Sequence, residues 1–226
     1  MNDAGENALL RAEGLSCSYG EKQILSDIDF ALRAGEVVGL TGDSGCGKST
    51  LCHCLCGVIP HIYEKAAMTG RVLLKGADIA PRRQAELCRE ISIVFQDPDI
   101  QLFSSTVADD IVFGLENFCV PRDEMERRLH ETAAFLGIEA LLGKNPNRLS
   151  GGQKQLCAVA SVLVLEPSVV IFDEALSRLD DTGQTLVLAA IEKLRDSGRG
   201  IIMVEHRAKH LARCDRVLRL EGGRLS

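Results

Sequence analysis

The sequence predicts an α/β fold: a mostly parallel core sheet, an antiparallel β edge subdomain and an inserted α-helical subdomain. Three observations lead there. Short apolar runs ending at Leu40, Phe95, Phe172 and Val204 read as buried strands, and Val169-Val170-Ile171-Phe172 is continuous enough to be covered on both faces. Alternating segments from Leu9 to Leu15 and from Ile24 to Leu32 read as antiparallel strands joined by the turn Tyr19-Gly20-Glu21-Lys22. From Asp97 to about Ala160 helix-like segments dominate, broken at Pro98, Pro121 and Pro146, with a strand signal only around Ile111 to Phe113.

The elements follow in order. Residues 1–10 read as a loose terminus. Arg33-Ala34-Gly35-Glu36 makes a turn into the strand ending at Leu40, and the helix through Leu51 to Val58 is broken by Ile59-Pro60-His61. Gly70 to Leu74 suggests another edge strand, Pro81 to Arg89 a short charged helix, and Ile91 to Phe95 a strand that stops at Gln96. Beyond residue 160 come the strand 169–172, a helix from about Thr182 to Ser197 closed by Gly198, the strand Ile201-Ile202-Met203-Val204, and a last strand from Arg216 to Leu220. The 226 residues suit one domain, with 1–96 and 161–226 as its α/β core and 97–160 as the helical subdomain.

Composition removes several function classes. A net charge of −6 argues against a nucleic-acid partner, which needs a basic face. The start Met1-Asn2-Asp3-Ala4-Gly5-Glu6 carries no signal peptide and the nine cysteines are odd in number, so they read as reduced cytosolic thiols. Cys52, Cys54 and Cys56 resemble a chelating cluster, but the helical step from 52 to 54 is about 200°, which makes them small hydrophobic residues instead. The longest apolar runs, such as Ala158 to Leu165, fall short of the ~20 residues that span a bilayer, so any membrane role requires a partner chain.

Chemistry concentrates in three stretches. Gly42-Asp43-Ser44-Gly45-Cys46-Gly47-Lys48-Ser49-Thr50 has the spacing G-x-x-x-x-G-K-[ST] between a strand and a helix. Its glycines let successive backbone N–H groups face phosphate oxygens at a helix N-terminus, where Lys48 reaches the β- and γ-phosphates and Ser49 ligates Mg²⁺. Asp173-Glu174, after an apolar strand, supplies two carboxylates with different tasks: Asp173 holds the Mg²⁺ shell and Glu174 polarises an attacking water. Leu149-Ser150-Gly151-Gly152-Gln153 opens a helix running through Val159, with Ser150 as N-cap, and forms a second anion site. Two phosphate-binding helix ends exceed what one molecule needs for one ATP; two facing molecules use both.

With these motifs in order, the chain resembles the ATP-binding cassette (ABC) ATPase of a transporter from about Leu9 to Leu225. Gln96, residues 149–153, the strand end 169–174, Asp180 and His206 occupy the family's remaining motif positions. Gly57-Val58-Ile59-Pro60-His61, Val94 to Pro98, Gln101-Leu102-Phe103, Thr106-Val107 and Phe113 to Asn117 are similar to a narrower group. That group is the A-component of energy-coupling factor (ECF) importers, which take up vitamins or transition-metal ions.

The resemblance implies a P-loop ABC-ATPase fold and a dimer that sandwiches ATP and Mg²⁺ between one protomer's phosphate loop and the other's residues 149–153. It implies that Tyr19 stacks on adenine, the alternative being an ordinary turn tyrosine. Gln96 contacts Mg²⁺ or the attacking water and senses the membrane subunit. Ser150 and Gly152, with Gly151 and Gln153 beside them, and Asp180 complete the nucleotide site, and His206 contacts the γ-phosphate held by Lys48. His53, His61, His130 and His210 read as incidental. The partners implied are a second ATPase subunit, identical or not, a transmembrane coupling subunit and a substrate-binding membrane protein, at the cytoplasmic face of the cell membrane. Residues from Ile100 to Asn117 form the docking surface, with Leu102 and Phe103 as anchors.

Three departures stand out: Ala175-Leu176 where the family commonly has Pro-Thr, Leu156 in place of an arginine, and an end at Ser226 without a C-terminal extension used in dimer contact. They bear on the loop toward Asp180, a local charge contact and the strength and symmetry of dimerisation. Cys46 is either a reactive thiolate whose alkylation blocks ATP binding or a side chain turned away from the nucleotide. A different class, a soluble ABC ATPase acting on nucleic acid or ribosomes, generally carries two cassettes or a long coiled-coil insertion, and neither is visible.

Overall fold

The computed structural model describes residues 8–63 and 65–226. Residues 1–7 of the expected loose terminus lie outside that range, whereas residues 8–10 open the first strand. The chain forms two compact units: one holds the chain up to Ile93, Ser168–Asp173 and Leu194–Ser226; the other holds Val94–Pro167 and Glu174–Lys193.

The elements of the chain up to Val94 are β1 (Ala8–Tyr19), β2 (Lys22–Arg33), β3 (Val37–Thr41), α1 (Lys48–Leu55), α2 (Val58–His61), β4 (Ala66–Leu74), β5 (Ala77–Asp78), α3 (Gln84–Leu87) and β6 (Ile91–Val94). Three helices follow, α4 (Val107–Asn117), α5 (Arg122–Leu136) and α6 (Gly151–Leu163). The chain closes with β7 (Val169–Asp173), α7 (Asp181–Asp196), β8 (Gly200–Val204), α8 (Ala208–Leu211), β9 (Arg216–Glu221) and β10 (Arg224–Leu225).

In the first unit an antiparallel sheet has the order β2-β1-β4-β5, and a six-stranded sheet the order β10-β9-β3-β8-β7-β6. Pairing of β3 with β8 and β9, and of β7 with β8, is parallel. The segment Gly70 to Leu74 is therefore not at an edge. It is part of a nine-residue strand, long enough to pair with β1 from Leu10–Leu74 to Tyr19–Ala66. At Gly70 a Cβ would lie 2.5 Å from the Gly14 carbonyl oxygen, so only glycine lets the two strands approach there.

Helix α1 lies within the core shared by these strands. Leu51, Cys52, Cys54 and Leu55 are buried together with Leu15, Ile28, Val72, Ile171 and Ile202. Enclosure on both faces explains why Cys52 and Cys54 are both buried despite their opposed directions. Each fully buried aliphatic side chain contributes roughly 1.5–3 kcal/mol.

In the second unit the strand signal at Ile111 to Phe113 is helix. Thr106 caps α4 by accepting a 3.2 Å hydrogen bond from Asp109 N–H, and Val107, Ile111 and Leu115 are buried at four-residue spacing, which outweighs the β-branched run. The sequence places 161–167 and 174–193 in the α/β core, yet they belong to the helical unit. Helix α6 continues unbroken to Leu163, and Lys193 of α7 lies over the Phe135 ring of α5 at 4.9 Å.

Candidate functional site

The phosphate loop is held open by its own backbone. Gly42, Gly45 and Gly47 have φ of 148°, 75° and 111°, and a Cβ at Gly42 would lie 2.3 Å from the Leu220 carbonyl oxygen. Lys48 is only 5% exposed, and its Nζ donates to the carbonyl oxygens of Gly42 (2.9 Å) and Asp43 (3.0 Å). Its charge is thus held over the loop, at the start of α1. Asp43, Ser44, Gly45 and Ser49 are exposed, Thr50 is half-buried, and Tyr19, at the end of β1, is half-buried against the core. Burial raises the Tyr19 phenol above its usual range, partly offset by a hydrogen bond with Thr50. Cys46 packs its side chain against the core, which matches the alternative of a thiol turned away from the nucleotide.

The strand tips β3, β8 and β7 are neighbours in one register. Leu40 lies opposite Val204, and Val204 opposite Asp173. Asp173 is buried and its charge is felt inward: His53 is held below its usual pKa by burial, with Asp173 opposing, and Cys52 is pushed well up by burial and then by Asp173. His206 follows β8 and is exposed. In this unit the loop amides, Lys48, the Ser49 hydroxyl and the Asp173 carboxylate fit a triphosphate with a hard cation, which takes oxygen ligands of this kind.

Two residues behind His206 are missed by the sequence reading. His210, read as incidental, is 2% exposed, and its Nδ1 lies 2.9 Å from Oε2 of Glu205. Burial opposes ionisation of Glu205, but the N–H of Arg207, the His210 ring and the N–H of His206 outweigh it and hold the carboxyl below its usual range. The available signal was positional: Glu205 directly follows an apolar strand, much as Asp173 ends one.

In the second unit Gln96 is exposed, and its side-chain amide donates to Oε2 of Glu174 at 2.7 Å. Glu174 has φ 51°, uncommon for a non-glycine residue, and its carbonyl accepts from the Ser177 hydroxyl at 2.7 Å. Asp97 pairs with Arg178 (3.3 Å) and Asp99 with Lys154 (2.5 Å), contacts that sequence spacing does not display. Ala175 and Leu176 are buried, so the departure from Pro-Thr is part of the packing.

Ser150 caps α6 in a reciprocal box: Gln153 N–H donates to Ser150 Oγ (3.3 Å) and Ser150 N–H to Gln153 Oε1 (3.1 Å). Gly151 is exposed and Gly152 half-buried beside it. Asp180 is exposed and caps α7, its Oδ1 accepting from Gly183 N–H at 2.8 Å.

Leu102, expected as a surface anchor, is 8% exposed and packs inward, whereas Phe103 is 66% exposed. Asp110 Oδ1 accepts the N–H groups of Phe103 (3.0 Å) and Ser104 (2.9 Å), and the Phe103 ring meets Phe113 edge-on at 4.8 Å. Among the described residues no helix is long and apolar enough to cross a membrane, and no group of three or more His, Cys, Asp or Glu side chains is placed to hold a metal, the cysteines of α1 included.

Comparison with known proteins is consistent with these features. A protein-family profile described as "ABC transporter" matches residues 25–177. The chain is 36% identical over 221 residues to the energy-coupling factor transporter ATP-binding protein EcfA1 of Mycoplasmoides gallisepticum, covering 97% of this chain and 77% of that one. It is 39% identical over 217 residues to EcfA1 of Halalkalibacterium halodurans, covering 95% and 76%. Among solved structures, cbiO1 of Clostridium perfringens, part of the ABC transporter complex cbiONQ, aligns with a TM-score of 0.81 at 34% identity, over 97% of this chain and 87% of that one. A profile match across most of the chain and near full-length likeness to ATP-binding subunits lead to one conclusion: the chain belongs to the ABC transporter family and is one of its ATPases.

Proposed function

We propose that this ATPase powers an ECF-type importer of a vitamin or a transition-metal ion, acting as a dimer against membrane subunits at the cytoplasmic face. The similarity to EcfA1 proteins and to cbiO1 supports the importer class. The observation that carries the coupling is the Gln96–Glu174 hydrogen bond. The chain leaving Gln96 leads within seven residues to the exposed Phe103, so a partner helix seated on Phe103 and Phe113 acts on the residue that touches the candidate general base.

In this reading ATP is the substrate. Lys48 exchanges its two carbonyl partners for phosphate oxygens, and the loop N–H groups hold the β-phosphate. Mg²⁺, if bound, would be held by Ser49 and Asp173 and would neutralise phosphate charge; the family resemblance assigns Gln96 to the same ion. Glu174 accepts the proton of the attacking water, and His206 donates a hydrogen bond to the γ-phosphate. Tyr19 stacks on adenine. Ser150, Gly151, Gly152, Gln153 and Asp180 of a second subunit close the site.

The test is a Phe103→Ala, Phe113→Ala double variant co-expressed with its candidate membrane subunits. The variant is expected to bind ATP normally and to lose co-purification with the membrane complex. Retained complex formation rejects the assigned docking surface.

A further inference from the structure

The residue after β8 is unusual for a strand end: Glu205 is 7% exposed yet carries a carboxylate. Its N–H extends the parallel ladder by donating to the Leu40 carbonyl at 3.2 Å, which fixes its level beside the strand entering the phosphate loop. Its side chain then folds back over the turn. Oε1 accepts the N–H groups of His206 (2.8 Å) and Arg207 (3.0 Å), and Oε2 faces Nδ1 of the buried His210 at 2.9 Å. An ionised carboxylate only accepts, so Nδ1 is the donor. The His210 N–H in turn donates to the Arg207 carbonyl at 3.0 Å, closing the turn.

Burying a carboxylate and an imidazole is costly unless both are satisfied, and neither is needed to complete the sheet. What the pair fixes is the backbone on either side of the His206 side chain, which is exposed, as is that of Arg207.

We propose that Glu205 and His210 are positioning residues that aim His206 at the nucleotide. The proposal deepens, and rests on, the reading of His206 as a γ-phosphate contact. A geometric error of about 1 Å at a reacting centre can cost on the order of 100-fold in rate, so rigid support of that turn has a kinetic consequence.

Steady-state ATPase kinetics on the full chain test it. Glu205→Gln and His210→Leu are expected to lower kcat on the order of 10- to 100-fold with KM for ATP within about twofold, and to add no further loss in a His206→Ala background. His210→Asn, whose side-chain amide reaches the place of Nδ1–H, recovers most of the loss. Additive losses, or His210→Asn as impaired as His210→Leu, overturn the positioning role while leaving the His206 reading intact. Full activity of His206→Ala overturns both. If Glu205→Gln fails to fold, the two His210 variants decide the matter alone.

Discussion

The Gln96 side-chain amide donates a 2.7 Å hydrogen bond to the Glu174 carboxylate, joining a residue two positions beyond β6 to the one that follows β7. Glu174 is held further by its φ of 51°, a conformation that costs of order 1–3 kcal/mol in a non-glycine residue and persists only where neighbours enforce it. With Glu174 as the general base, Glu174→Gln is expected to lower kcat by about 10²- to 10⁴-fold and to accumulate an ATP-bound dimer on size-exclusion chromatography. Near-normal turnover would refute the assignment.

Ser150 caps α6, and in the proposed function it also helps close the nucleotide site. As N-cap of α6 it contributes about 1 kcal/mol, so Ser150→Ala should lower the unfolding temperature by roughly 2–4 °C. Ser150→Asn keeps a capping side chain but not the hydroxyl. It is expected to melt like the parent chain while losing ATPase activity, and full activity in Ser150→Asn reduces Ser150 to a cap.

Acid stability carries a signature of Glu205. Its carboxyl is held below the ordinary 4.5 in the folded chain, against burial, by bonds from Arg207, His210 and His206. On acidification the unfolded chain therefore takes up the proton first. The stabilisation is complete above about pH 4.5 and is lost as pH falls through the folded value. Urea midpoints measured from about pH 6 to pH 3 should decline less steeply in Glu205→Gln than in the parent, and identical slopes would exclude this contribution.

Thiol reactivity should follow burial. Cys119 is exposed, whereas Cys17, Cys52, Cys54, Cys56 and Cys157 are buried. Burial is the first cause of the raised thiol pKa at Cys54, Cys56 and Cys157, the last two pushed up to about 12. A disulfide reagent should show one fast phase that Cys119→Ser removes, and those five should react only on unfolding. ATP affinity should survive Cys46→Ala, because that side chain packs on the core.

The strands and the chemical residues at their tips were legible because apolar runs that end at charged groups have few alternatives in an α/β protein. Helix α7, expected from Thr182 to Ser197, runs Asp181–Asp196. The edge position of Gly70 to Leu74, the strand at Ile111 to Phe113 and the outward Leu102 were misread. In each case the deciding contact is distant or depends on a cap: pairing of β4 with β1, Thr106 on Asp109, and inward packing of Leu102.

By itself the sequence determined the fold class, the phosphate loop at Gly42 to Thr50, the carboxylates at 173–174 and the capped helix at Ser150, because each is encoded within a few consecutive residues whose local geometry requires them. Only the tertiary structure decided which side chains meet. Gln96 and Glu174 are 78 positions apart, and Glu205 and His210 are joined through a turn whose inward face no periodicity announces. Burial turns a histidine of ordinary appearance into the partner of a carboxylate, since a charge removed from water must be satisfied by whatever donors the fold brings to it.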